Sequence, residues 1–201
     1  MNYKLIFQYL GKVLSLLAAL MLLPLLVSLL NRDLEDVRGF LFTIILLLAA
    51  GIPLGRLKCT NTRLFAKEGF LIVAVSWLAL SVFGALPFYL TGAIPHYLDS
   101  LFEAVSGFTT TGASILREVE SLSPGILFWR SFTHWIGGMG VLIFLMAIIP
   151  AVAGDRALHL LKAESPGHDP GKLVPKMRQS SMLLYVIYLV LTLVQVVFLL
   201  A

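Results

Sequence analysis

Charge is what this chain has least of. Asp, Glu, Lys and Arg make up 13% of its 201 residues, where a soluble domain carries about 25%. Apolar residues reach 59% and the mean hydropathy is +0.93. So little polar surface excludes a separate water-soluble domain and makes the bilayer the solvent. Cysteine is almost absent. The single Cys59 excludes an internal disulfide framework and a cysteine-built zinc site, and suits a loop thiol facing the reducing side. Also missing is any carboxylate pair, metal-ligand cluster or nucleophile–base arrangement, so no enzymatic chemistry is expected and no organic cofactor is called for. The net charge of +4 would suit nucleic acid, but the basic residues lie in short loops between apolar runs, a pattern that membrane topology explains.

A helix needs about 20 apolar residues to cross a bilayer core of about 30 Å. Val13–Leu30, Phe40–Leu57, Gly69–Leu90, Ile126–Pro150 and Ser181–Ala201 come close to that length. The first is too long for a signal-peptide core and lacks a small-x-small cleavage site before Asn31, so it is expected to be retained. Pro24 and Pro87 are expected to kink their helices or mark their ends. Lys4 and Lys12, then Arg56, Lys58, Arg63 and Lys67, then Arg156, Lys162, Lys172, Lys176 and Arg178 fall in alternate connections. By the positive-inside rule these connections and the N-terminus are cytoplasmic. Asp33, Glu35, Asp36, Asp99, Glu103, Glu118 and Glu120 then fall on the outer side. They either solvate the outer loops or concentrate cations at a pore mouth.

Between the third and fourth runs the chain carries Tyr97–Gly107 and then Phe108-Thr109-Thr110-Thr111-Gly112-Ala113-Ser114. A helix of about eleven residues spans about 16 Å, half a membrane. Asp99 or Ser100 is expected to favour its start and Gly107 its C-cap. A threonine run ending in glycine is poor material for a lipid-facing helix. It suits an extended backbone whose carbonyls replace the hydration shell of a potassium ion. Non-helical backbone at membrane depth is tolerated only where protein buries it or water reaches it. Gly112 supplies dihedrals unavailable to threonine, and the threonine hydroxyls add oxygens near the ion.

The fourth run opens Phe128-Trp129-Arg130-Ser131-Phe132-Thr133-His134-Trp135-Ile136-Gly137-Gly138-Met139-Gly140. Trp129 and Trp135 suit an interfacial aromatic belt. Arg130 either snorkels outward or pairs with a carboxylate such as Glu103. Gly137, Gly138 and Gly140 admit a close backbone, with the short helix the expected neighbour. His134 is either an ion ligand or the donor of a structural hydrogen bond.

Phe102–Ala113 resembles the first pore loop of the TrkH/TrkG/KtrB potassium transporters. Trp129-Arg130 with Trp135–Gly140 is similar to the helix that follows it, and Leu158–Gly167 with Lys172–Lys176 to the next cytoplasmic loop of the TrkH/TrkG branch. The resemblance implies an all-α membrane protein of the bacterial inner membrane, with five transmembrane helices here, one re-entrant pore helix and a selectivity-filter loop. It implies a pseudo-fourfold pore on one polypeptide, usually a homodimer in lipid, with a cytoplasmic TrkA-type nucleotide-binding regulatory subunit. Thr110, Thr111 and Gly112 would bind potassium, with Thr109, Gly107 and Glu103 supporting them. Residues 1–68 would be an N-terminal helix pair, 69–150 the first helix–pore-loop–helix repeat, 151–180 a cytoplasmic loop and 181–201 the start of a second repeat. Ala113-Ser114 follows Gly112 where potassium channels carry a second glycine. The chain stops at Ala201 before any second threonine–glycine loop. It is therefore expected to be the N-terminal part of an uptake protein, the alternative being a non-conducting membrane fragment or an interaction-only subunit.

Overall fold

The computed structural model describes residues 3–57, 66–152 and 173–200. Among the described residues every regular element is an α-helix: α1 (Tyr3–Leu20), α2 (Leu22–Leu30), α3 (Leu34–Gly55), α4 (Ala66–Leu90), α5 (Tyr97–Phe108), α6 (Pro124–Val152) and α7 (Leu173–Leu200). Tyr3–Leu30, Leu34–Gly55, Glu68–Leu90 and Met182–Leu200 are long and apolar enough to cross a membrane. Most of the predicted loop 151–180 lies outside the described residues, although α7 already begins at Leu173 within it.

The helix limits follow from local chemistry. Proline has no N–H to give the carbonyl four residues back. Pro24 therefore leaves Leu20 unpaired within the helix, and α1 stops there before α2 resumes at Leu22. Pro87, by contrast, stays inside α4, which continues to Leu90. The third helix starts at Leu34 and not near Phe40, because the Asp33 side chain accepts the Asp36 N–H at 3.3 Å and caps it.

The chain forms two compact units, one of residues 1–62 and 71–138, the other of residues 63–70 and 139–201. The first unit holds a core that includes Leu17, Met21, Phe40, Leu47, Phe88, Phe108, Ile126 and Trp129, all fully enclosed. Among lipid tails, burial of apolar area drives little association between helices, so close packing and hydrogen bonds must hold them. Glycine permits that packing where α1 crosses α3. A Cβ on Gly11 would collide with the backbone of Leu54 and Gly55. In the second unit, none of the 182–200 stretch of α7 is buried.

Candidate functional site

The threonine loop leaves the C-terminus of α5 within the first unit. Here α5 ends later than expected. Gly107 lies inside the helix, and the left-handed turn falls on Thr110, at φ +58°. The Thr110 N–H donates to the Gly107 carbonyl and the Thr111 N–H to the Ser106 carbonyl, each at 2.9 Å. These two bonds close a helix when the residue between them is left-handed, a place usually taken by glycine. Gly107 instead provides space: a Cβ there would strike the Thr133 side chain of α6, and one on Gly137 would strike the Phe108 carbonyl oxygen. The predicted close approach to the short helix thus falls on Gly137, with Gly107 opposite Thr133. Gly138 is half-buried, and Gly140 belongs to the second unit. At the other end of α5, His96 holds the cap position without a side-chain bond. Ser100 does not cap; its hydroxyl lies 3.2 Å from both the Ile94 and His96 carbonyls.

After the turn, Gly112 is again left-handed at φ +77°, while Thr111 between them is not. Left-handed residues at Thr110 and Gly112 break the regular alternation of an ordinary strand. Buried peptide groups are nearly all paired, so the fate of each carbonyl is informative. The carbonyls of Thr109, Thr110, Thr111 and Gly112 accept no hydrogen bond from the described residues, and residues 109–114 are exposed. The Thr109 hydroxyl donates to the Val105 carbonyl at 2.7 Å. Its one proton being used, it accepts from the Thr111 hydroxyl 2.7 Å away.

Behind the loop lies Glu103, 2% exposed. One carboxylate oxygen accepts Arg130 Nε at 2.6 Å. The other accepts the Ser114 hydroxyl at 3.0 Å and the Ile115 N–H at 3.2 Å. Of the two readings open for Arg130, pairing holds. Ser106, one turn further along α5, donates its hydroxyl to the Ala113 carbonyl at 2.5 Å. His134 Nδ1 lies 3.0 Å from the Arg130 carbonyl, a structural hydrogen bond in which the nitrogen must donate.

Trp129 corrects the expected aromatic belt. It is fully enclosed, its Nε1–H donates to the Gly84 carbonyl at 3.0 Å, and its ring meets Phe40 and Phe108 edge-on. Trp135 stacks on Phe132. Asp36 is also no solvated loop acid: it is 3% exposed and accepts the Ser123 hydroxyl at 2.6 Å. That bond ties the entry to α6 to the N-terminal helices, and Gly125 leaves room for it, since a Cβ there would meet Ser28 and Asp36. Their separation of 87 residues left no local signal for this contact.

The described residues thus hold four helices long and apolar enough to cross a bilayer, and a loop whose backbone oxygens at 109–112 accept no hydrogen bond from them. The sequence matches the TrkH family, described as cation transport protein, over residues 37–201, and the chain belongs to that family. It is 34% identical to the Trk system potassium uptake protein TrkH of Halomonas elongata, over 96% of this chain and 40% of that one. To the TrkH of Escherichia coli K12 it is 36% identical, with the same coverages. The crystal structure of the potassium transporter TrkH from Vibrio parahaemolyticus superposes with a TM-score of 0.76 at 33% identity, covering 96% of this chain and 38% of that one. The chain thus spans about two-fifths of the length of the relatives it matches.

Proposed function

We propose that this chain contributes one side of a potassium-conducting selectivity filter in a Trk-type uptake system of the bacterial inner membrane. The observation that carries this is the run of four consecutive carbonyls, Thr109 to Gly112, without a hydrogen-bond partner among the described residues. A cation that leaves water needs its lost oxygens replaced on every side. Thr110, Thr111 and Gly112 are the potassium ligands in this reading, with Thr109, Gly107 and Glu103 holding the loop. The other sides of the ring come from further filter segments of the assembly. In this reading α5 is a re-entrant pore helix, α6 is the fourth of five spans, and residues 69–150 form one helix–pore-loop–helix repeat. Residues 1–68 are a supporting helix pair and 181–201 begin the next repeat. The similarity to potassium uptake proteins supports this reading. By family likeness the assembly is a homodimer served by a TrkA-type cytoplasmic subunit.

Gly112→Ser tests the filter. Its φ of +77° suits glycine, although nothing lies within 4 Å of a Cβ there, so the substitution strains the backbone without a clash. In the complete polypeptide, potassium-over-sodium uptake should fall while the amount of protein in the membrane stays the same. An unchanged preference removes Gly112 from the filter. Orientation, with the N-terminus cytoplasmic, rests on the alternation of basic loops. After Cys59→Ser, an impermeant thiol reagent outside the cell should label Glu118→Cys and spare Arg56→Cys; the reverse pattern inverts the topology.

A further inference from the structure

We propose that Ser106 sets the outer limit of the ion-binding oxygens, a positioning role that rests on the filter reading above. Helical serines and threonines ordinarily return their hydroxyl proton to the carbonyl four residues back. Ser15, Ser28, Thr43 and Thr192 all do so, to Gly11, Pro24, Gly39 and Tyr188. Ser106 does not. Its hydroxyl reaches seven residues forward and donates to the Ala113 carbonyl at 2.5 Å.

The consequence lies in the order of the carbonyls. Thr109, Thr110, Thr111 and Gly112 are unclaimed, and Ala113 is the first oxygen after them that accepts a hydrogen bond. Ser106 is 4% exposed and lies on the buried side of α5. The Ala113 carbonyl is therefore turned back toward the helix, whereas the four carbonyls before it meet no donor among the described residues. Ser106 grips the loop twice, because its own carbonyl accepts the Thr111 N–H at 2.9 Å. Its main chain fixes how the row leaves the helix and its side chain fixes where the row stops. Glu103, three residues earlier and on the same helix face, holds the next two residues, Ser114 and Ile115. The carbonyl that follows the filter glycine is thereby kept out of the ion path by a hydroxyl. Discrimination between cations depends on the number and stiffness of coordinating oxygens. Ser106 is thus a specificity determinant that touches no ion.

Ser106→Ala removes the donor, adds no bulk, and leaves the Ala113 carbonyl free to swing toward the exposed side. In the full polypeptide encoded at this locus, potassium-over-sodium uptake should fall about three- to tenfold, the worth of one hydrogen bond. Membrane level should be unchanged, and Ser106→Thr, which keeps the hydroxyl, should restore the preference. A structure of the Ser106→Ala protein should show the Ala113 carbonyl turned away from α5. If Ser106→Ala keeps the wild-type preference while Gly112→Ser loses it, or if the carbonyl stays against α5 without the hydroxyl, the role assigned to Ser106 is wrong and the filter reading stands. If neither variant changes preference, the filter reading itself fails.

Discussion

The helices α2 and α5 end on the same pair of bonds and lead to opposite outcomes. In α2 the Arg32 N–H donates to the Leu29 carbonyl and the Asp33 N–H to the Ser28 carbonyl, around a left-handed Arg32 at φ +57°. In α5 the matching bonds run from Thr110 to Gly107 and from Thr111 to Ser106, around Thr110 at φ +58°. After α2 the chain is reabsorbed at once. The Asp33 side chain caps α3, and its carbonyl accepts the Val37 N–H at 3.1 Å. After α5 four carbonyls stay unclaimed before Ser106 and Glu103 take hold of Ala113, Ser114 and Ile115. A cap of the same design thus makes a plain corner in one place and an oxygen-lined loop in the other. The residues behind the loop decide which.

The most severe break in this comparison is loss of Glu103. Its removal by Glu103→Ala strips the partner from Arg130, only 17% exposed, and releases Ser114 and Ile115 together. Removing one member of a buried pair costs about 3–5 kcal/mol. The protein should unfold at lower temperature in detergent, and uptake should be lost. The counterpart after α2, Asp33→Ala, should cost about 1 kcal/mol, the worth of one N-cap, with ion preference intact. Equal losses for the two variants would mean that Glu103 is merely a cap.

Smaller, and aimed at packing alone, is a comparison of two glycines. A Cβ on Gly11 would press on the backbone of α3, and one on Gly137 on the Phe108 carbonyl next to the loop. Overpacking of this kind costs about 1–3 kcal/mol. Gly11→Ala should lower stability and leave cation preference unchanged, whereas Gly137→Ala should shift both. Uptake ratios and melting temperatures of the two variants, measured side by side, check this. A changed preference in Gly11→Ala would erase the distinction between holding helices and holding the loop.

Much of this was legible in the sequence, for identifiable reasons. Span lengths follow from apolar runs, and α5 from a short apolar, half-length segment that begins at Tyr97 as expected. Gly112 was legible because a left-handed position favours glycine. Thr110 was not, since a β-branched residue is a poor candidate for that region and only the two closing bonds hold it there. Glu103 and Arg130 were each visible as charges in an apolar setting, but spacing could not choose between pairing and snorkelling. Trp129 misled because amphipathic rings do suit interfaces, and nothing local announced that Gly84 would accept its N–H. The Asp36–Ser123 bond joins two positions 87 residues apart that only the folded bundle brings together.

The finest test compares the two left-handed residues themselves. A left-handed residue other than glycine costs roughly 1–2 kcal/mol, and a β-branched side chain fits that region worse than a long unbranched one. Glycine removes this strain but returns about 0.5–1 kcal/mol of chain entropy to the unfolded state. Thr110→Gly should therefore stabilise by up to about 1 kcal/mol, and Arg32→Gly by less. Stability alone would rank the two positions as milder and stronger versions of one corner. Ion preference should separate them. Thr110→Gly deletes a side chain that restricts the backbone at the start of the carbonyl row, so preference for potassium should weaken even as the melting temperature rises. Arg32→Gly should leave preference untouched, because the chain beyond it is held by Asp33 and not by an ion. A Thr110→Gly protein that gains stability and keeps its full preference would show that Ser106 and Glu103 hold the row without help from the strained residue.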